Sequence, residues 1–367
     1  MSALSALGSV SWNLAGQVKR SPMFARFSKH WNSIVLHATP RKVLNALWAE
    51  VEFRLGRTQL QSRPYIYFVD PINVCNLRCP LCPTGSGNLK RPQKLMDWET
   101  FTRAIDAIAP YAFQVRLYNW GEPTLHPHIY DMIRYVRGKN IGVVMSSNLV
   151  RLTEHDVQQL VESGLEYLTV SIDGATQDVY SQYRVRGDLE AVLKNLRAIL
   201  AYRRSVGRTT PFVEWQFIVM KHNEHQIDQA RQLAKEIGVD VTRFIPVGLP
   251  FDAKRQEREE MAERWMASNP RYRALELQPG QKYILDERCF YLYRSMTINP
   301  EGAVAPCCII SNEKYDFGDI RQDTLDVLWN NERYRSARNL YTQRRDPTAK
   351  IGTVCHKCPI YRKSGIE

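Results

Sequence analysis

The chain has 367 residues, 44% hydrophobic and 10% aromatic, enough to bury one large core with a smaller appended domain, which excludes a disordered polymer. Fifty Lys and Arg against 38 Asp and Glu leave a net charge of +12 and favour anionic partners. No run reaches the ~18 apolar residues that span a bilayer, and no basic stretch precedes an apolar one at the N-terminus, so a cytoplasmic chain with reduced, metal-ligating cysteines is expected.

Residues 1–64 read as a basic, amphipathic helical extension. Nine Lys and Arg fall in residues 1–65 against only Glu50 and Glu52. Two apolar stripes have helical spacing: Phe24, Phe27, Trp31 and Ile34, then Leu44, Leu47, Trp48, Val51 and Leu55, the second ending at Gly56. Packing of these stripes on the main domain is expected; the other reading is peripheral contact of residues 1–60 with an anionic membrane surface.

Residues 65–250 alternate β-rich runs with helical patterns, which predicts an α/β fold with repeated βα units around a parallel sheet. The strands are expected at 65–70, 115–119, 143–147, 167–172, 213–220 and 241–244, with helices near 98–109, 128–139, 154–163, 189–203 and 225–237. Six units suit an open, partial (β/α)6 barrel of the TIM type, whose functional residues sit just after the strands. Residues 251–367 form a second, smaller domain: a charged helix at 254–266, a hairpin at 296–307 around Pro300, Glu301 and Gly302, and a helical run over 324–345.

The eight cysteines divide into Cys75, Cys79 and Cys82, then Cys289, Cys307, Cys308, Cys355 and Cys358. The first three lie on the loop leaving the first strand, where Pro80 and Pro83 discourage helix. Soft thiolates at this spacing suit zinc or an iron-sulfur cluster. A structural zinc wants four protein ligands, whereas a cubane held by three leaves one iron open.

This CxxxCxxC loop resembles that of the radical S-adenosylmethionine (radical SAM) superfamily. The resemblance implies that SAM chelates the open iron of a 4Fe-4S cluster and is cleaved to a 5'-deoxyadenosyl radical, which abstracts hydrogen from substrate. Leu81 stands where the family often has an aromatic residue. Asn119-Trp120-Gly121-Glu122-Pro123 resembles the family's GGEP element at the SAM amino group, with Trp120 replacing a glycine; alone it reads as an ordinary βα turn. Asn148 beside Ser147, then Ser171 and Asp173, end the third and fourth strands, where the family contacts the SAM ribose or carboxylate. Arg184 matches an arginine that pairs with that carboxylate. Each of these also reads as a loop or cap residue. His126 and His128 read as capping or substrate-facing groups, and the tryptophans as core.

The C-terminal part resembles the family's SPASM/twitch extension. Cys289, Gly302 and Cys307, the Asn299-Pro300-Glu301-Gly302 turn, Phe317-Gly318-Asp319, Leu328-Trp329-Asn330 and the Cys355-His356-Lys357-Cys358 pair carry it. It implies one auxiliary 4Fe-4S cluster on Cys289, Cys307, Cys355 and Cys358, with Cys308 a packed thiol; alone, the four-cysteine pattern reads equally as zinc.

A radical SAM oxidoreductase is therefore expected, acting on an unidentified small molecule of sugar or lipid type by oxidation or rearrangement, with a low-potential donor such as flavodoxin or ferredoxin. The alternative is a SPASM maturase that modifies a peptide or protein side chain. A zinc-stabilised nucleic-acid-binding protein is the non-catalytic reading.

Overall fold

The computed structural model describes residues 33–250, 253–273, 288–342 and 346–358. Short β-rich runs, mostly buried on both faces, give six parallel strands: β1 (Ile66–Val69), β2 (Gln114–Arg116), β3 (Gly142–Ser147), β4 (Tyr167–Ser171), β5 (Phe212–Val219) and β6 (Val241–Pro246). Between them run α2 (Trp98–Ile108), α3 (Ile129–Gly138), α4 (Glu154–Glu162), α5 (Gln177–Tyr183), α6 (Leu189–Ser205) and α7 (Ile227–Ile237), after an N-terminal α1 (Pro40–Leu55). Helix starts follow the local chemistry. Asp97, Thr153 and Asp188 accept from the first-turn amides of α2, α4 and α6, and Thr153 forms a capping box with Asp156.

The six βα units expected from the sequence are present, and α5 is an added helix that carries the chain from β4 to Arg184. The C-terminal segment enters the same sheet. After α8 (Arg255–Trp265) and α9 (Tyr291–Arg294), β7 (Ser295–Ile298) bonds parallel to β1, pairing Phe68 with Thr297. β8 (Ala303–Ala305) and β9 (Gly318–Asp319) follow antiparallel, so the described sheet runs β6-β5-β4-β3-β2-β1-β7-β8-β9. The expected hairpin is β7–β8, and the helical run divides at Asn331 into α10 (Leu325–Asn330) and α11 (Glu332–Asn339).

The main core lies between the sheet's outer face and the helices, with Val115, Val143, Leu168, Val213 and Met296 fully buried. On the alternate face Val144, Tyr167, Phe212 and Val241 form a separate cluster against Tyr118 that closes the inside of the curved sheet. Trp215 and Trp329 are core as expected, whereas Trp48 and Trp98 are exposed.

α1 departs from expectation. Its apolar stripe faces solvent, with Leu44 66% and Leu47 60% exposed, while Lys42, Ala49, Glu52 and Phe53 are buried. The cause is a set of specific polar latches. Lys42 Nζ donates to the Asn140 carbonyl at 2.6 Å; Glu52 accepts from Gln61 N at 2.7 Å and Ser62 Oγ at 2.5 Å; Asn45 exchanges two hydrogen bonds with the Arg63 backbone. Leaving these groups buried and unpaired would cost more than exposing several aliphatic side chains returns. The first stripe's Phe24, Phe27 and Trp31 lie outside the described residues. Among the described residues no helix is long and apolar enough to cross a membrane.

A buried ion cluster ties the cysteine-bearing loop to the C-terminal hairpin. Arg91, its side chain fully buried, donates to Glu301 Oε1 at 2.5 Å and to both oxygens of Asp316 at 2.6 and 2.8 Å. Arg91→Met strands two buried carboxylates, and is expected to cost about 3–5 kcal/mol of stability. Thermal unfolding of the variant measures it; an unchanged midpoint would show that the cluster contributes nothing to joining these segments.

Candidate active site

The loop after β1 is closed at its neck by Asn73. Its amide donates to the Lys94 carbonyl at 3.3 Å, its side chain bonds Pro92 O at 2.8 Å and Lys94 N at 2.7 Å, and Ile72 bridges Leu95. Within this neck the chain turns tightly, Cys82 N donating to Cys79 O and Ser86 N to Cys82 O. A Cβ on Gly85 would stand 2.5 Å from Cys79 N, so only glycine lets the loop fold back on itself there.

Cys75, Cys79 and Cys82 come together on this loop, Cys79 and Cys82 adding to the rise at Cys75 and Cys82 to that at Cys79. Burial pushes the Cys75 thiol up to about 12, with smaller contributions from Glu122, Cys79 and Cys82. Burial likewise raises Cys79, opposed by the guanidinium of Arg184. Leu77, Cys79 and Leu81 pack into an apolar cluster with Tyr183, Met220, Val247, Trp265 and Met266. Trp265 meets Tyr183 edge to face, so the end of α8 covers the loop from a position 180 residues away in sequence. No local sequence signal marks that role for Trp265.

The turns after β2, β3 and β4 converge on the same loop. A Cβ on Gly121 would lie 1.9 Å from the Ile72 carbonyl oxygen, and Glu122 N donates to Val74 O at 2.9 Å. The buried Glu122 carboxylate accepts from Ser147 Oγ and Asn148 N, both at 2.7 Å, and from Thr124. Asn148 Nδ2 reaches Cys75 Sγ at 3.8 Å and Asn76 Oδ1 at 2.9 Å. Asp173, fully buried at the end of β4 beside the buried Ser171, accepts from Arg184 Nε at 2.6 Å and Ile218 N at 2.7 Å, while Arg184 Nη1 stands 4.0 Å from Cys79 Sγ. Trp120 is set by its amide on Asp70 and its indole N–H on the Ile310 carbonyl at 3.3 Å. His126 braces the turn instead of facing a ligand, its Nδ1 accepting from His128 N and its Nε2 lying 3.1 Å from Met96 O. Three soft sulfurs met by amide and guanidinium donors, and by no fourth Cys or His on this loop, fit a cluster with one open iron.

The second group also gathers. Burial raises the thiols of Cys289 and Cys355, with Cys358 adding to both, Cys307 lies near Cys289 and Cys355, and Tyr341 stands within electrostatic reach of all four. Cys308 turns elsewhere, towards Arg116 on β2 and a hydrogen bond with the Tyr291 hydroxyl. Four buried or half-buried thiols fit a cluster with complete protein ligation. Among the described residues no three His, Cys, Asp or Glu side chains close on a single metal ion.

On β4 to β6 a polar cluster lies beside the Val144, Tyr167, Phe212 and Val241 contacts. Glu214 on β5 accepts from Tyr167 Oη and Arg243 Nη2, both at 2.7 Å, and Arg243 also donates to Gln216 Oε1 at 2.6 Å.

Residues 69–213 match the family model of the radical SAM superfamily, and residues 289–359 match that of the SPASM iron-sulfur cluster-binding domain. The chain belongs to the radical SAM superfamily. It carries the SPASM domain at its C-terminal end, and its cofactors are SAM, the SAM-binding 4Fe-4S cluster and auxiliary iron-sulfur ligation. Among curated relatives, the tungsten-containing aldehyde ferredoxin oxidoreductase cofactor-modifying protein of Pyrococcus furiosus is 25% identical over 333 residues, 83% of this chain and 91% of that one. The mycofactocin maturase MftC of Mycobacterium ulcerans is 23% identical and covers 78% of each chain. Among solved structures, Streptococcus suis SuiB bound to S-adenosylmethionine superposes with TM-score 0.60 at 16% identity, over 87% of this chain and 80% of that one, which shows the partial barrel and SPASM fold.

Asp70 borders the candidate site and was overlooked in the sequence reading, although a charged residue closing an apolar strand just before the cysteines was its signal. It is fully buried; Oδ2 accepts from Trp120 N at 3.1 Å and Oδ1 has no partner. Burial, reinforced by nearby Glu301, raises its pKa to about 7. A carboxyl whose folded pKa exceeds its unfolded value stabilises fully below the unfolded pKa, and that stability is lost as pH rises through the folded value. Asp70→Asn is therefore expected to melt near wild type at pH 4 and roughly 5 °C higher at pH 8. Melting curves across that range test it; a pH-independent difference would remove Asp70 as the titrating group.

Proposed function

We propose that this radical SAM enzyme modifies a peptide or protein side chain, with Cys75, Cys79 and Cys82 holding the SAM cluster and Cys289, Cys307, Cys355 and Cys358 an auxiliary cluster. The observation that carries the site assignment is the convergence of Asn148 and Arg184 on the sulfurs of a three-cysteine loop. The cluster and SAM, when bound, supply the 5'-deoxyadenosyl radical that abstracts hydrogen. Gly121 keeps the turn after β2 close enough for its backbone, with Trp120, to meet the SAM amino group. Glu122 spends its oxygens on Ser147, Asn148 and Thr124, so it positions Asn148 instead of touching the cofactor. Asp173 orients Arg184 so that its terminal nitrogens face the SAM carboxylate, with Ser171 beside it.

The peptide reading is supported by the maturase relative, which aligns over most of both chains. A small polar molecule is the second reading, supported by the cofactor-modifying relative that aligns over most of the chain. A low-potential flavodoxin or ferredoxin supplies the electron, and the cytoplasm is the compartment where such donors and reduced thiols coexist.

Anaerobically reconstituted protein is expected to hold roughly eight irons. Replacing Cys75, Cys79 and Cys82 together by Ala should halve that and abolish 5'-deoxyadenosine formation, and Asn148→Ala should keep the iron while raising the KM for SAM about tenfold. Retention of SAM cleavage in the triple variant would overturn the assignment. For the substrate, deuterium transfer into 5'-deoxyadenosine from labelled peptides, against labelled sugars and lipids, decides: transfer from a sugar or lipid alone would reject the peptide reading.

A further inference from the structure

We propose that the outer face of α1 is a docking surface for an anionic membrane. Val43, Leu44, Leu47, Trp48, Val51 and Leu55 form one continuous helical stripe and every one is exposed, from 38% at Val43 to 66% at Leu44. A stripe of this kind normally turns inward. Here it is fixed outward, because Lys42, Asn45 and Glu52 hold the opposite face on the barrel through buried hydrogen bonds, and Phe53 packs edge-on against Tyr293.

The charges that α1 itself turns outward have one sign, and the exposed Asp326 beside them is paired with Arg63. Glu50 and Glu52 are both turned to the protein, Glu50 accepting from Tyr65 Oη at 2.8 Å and from Arg294 at 2.6 Å. Arg41, Arg54 and Arg57 remain at the exposed margin, with Arg57 over the Trp48 ring. In sequence, residues 1–32 add Lys19, Arg20, Arg26 and Lys29 and contain no Asp or Glu. An apolar stripe with an aromatic residue and a predominantly cationic margin matches the two terms of interfacial binding: burial among acyl chains and attraction to acidic headgroups. A water-soluble protein partner would be matched by mixed charge at the rim.

The placement separates this surface from the three-cysteine loop. The latches of α1 go to Asn140, Tyr111 and Arg63, each just before a strand, so the helix lies across the N-terminal ends of β1, β2 and β3. Cys75, Cys79 and Cys82, Asn148 and Asp173 follow the C-terminal ends, whereas Cys289 and Cys307 lie before β7 and after the antiparallel β8, towards the α1 end of the sheet. A chain docked through α1 therefore turns its three-cysteine loop away from the bilayer, and the contact anchors the enzyme without feeding it lipid. This inference does not depend on the substrate.

The test is flotation of the full-length, cluster-loaded protein with vesicles of neutral phosphatidylcholine, or of phosphatidylcholine with one quarter phosphatidylglycerol. Binding is expected to the anionic vesicles, to weaken at high salt, and to fall at least ~10-fold in Leu47→Glu/Trp48→Glu, with melting temperature and substrate-free SAM cleavage unchanged. Three results overturn the proposal: no flotation of the wild type, equal flotation of the double variant, or flotation that appears only after residues 1–32 are deleted, which makes that segment the cover. A concentration-dependent dimer abolished by the double variant would likewise assign the face to a second copy of the chain.

Discussion

The contact between the turn after β2 and the chain leaving β1 is the constraint on which the rest depends. Gly121 lies so close to the Ile72 carbonyl that any side chain would push the two segments apart. With them in contact, Glu122 N reaches Val74 O, the carboxylate of Glu122 reaches the end of β3, and Asn148 is delivered to Cys75. One missing Cβ thus sets the position of groups from three successive βα turns. Trp120, standing in place of the first glycine of the GGEP element, is accommodated because its indole leaves this contact and bonds to Ile310 in the C-terminal segment.

Charge in the site is governed by burial. The thiols are raised by desolvation, and the groups that favour their ionised form, Arg184 at Cys79 and the Leu77 amide at Cys75, are few and directional. Thiolate in such a place is stable only with a cation in contact, so the loop is built for metal and unsuited to a free nucleophile. The apolar cover from Leu77, Leu81, Met220 and Trp265 serves the same end by keeping water from the sulfurs.

The strands were legible as short β-rich runs and most helices by their one buried face, because such patterns in the sequence report burial directly: β3 through β5 and α2, α3 and α7 fall within a few residues of the expected spans. Cysteine spacing and the turn motifs made the site readable for the same local reason. What was illegible depends on partners far along the chain. The parallel bonding of β7 to β1, the cover supplied by Trp265, and the pairing of Arg91 with Glu301 and Asp316 have no short-range signature. α1 shows a different limit. Periodicity gives the width and position of an apolar stripe but not its direction, and here a few specific hydrogen bonds of Lys42, Asn45 and Glu52 outweigh it.

The bonding of β7 to β1 also fixes how the two thiol groups relate. The strand that opens into the Cys75 loop is hydrogen-bonded to the strand that leads from Cys289 towards Cys307, and Asp70 N closes that ladder on Ile298 O at 2.9 Å. Movement of one loop against the other would have to break the centre of a nine-stranded sheet, so their separation is as rigid as the fold itself. The adjacent pair Cys307-Cys308 sits just after β8 in this ruler: one thiol faces the other cysteines, the next faces Arg116 and Tyr291.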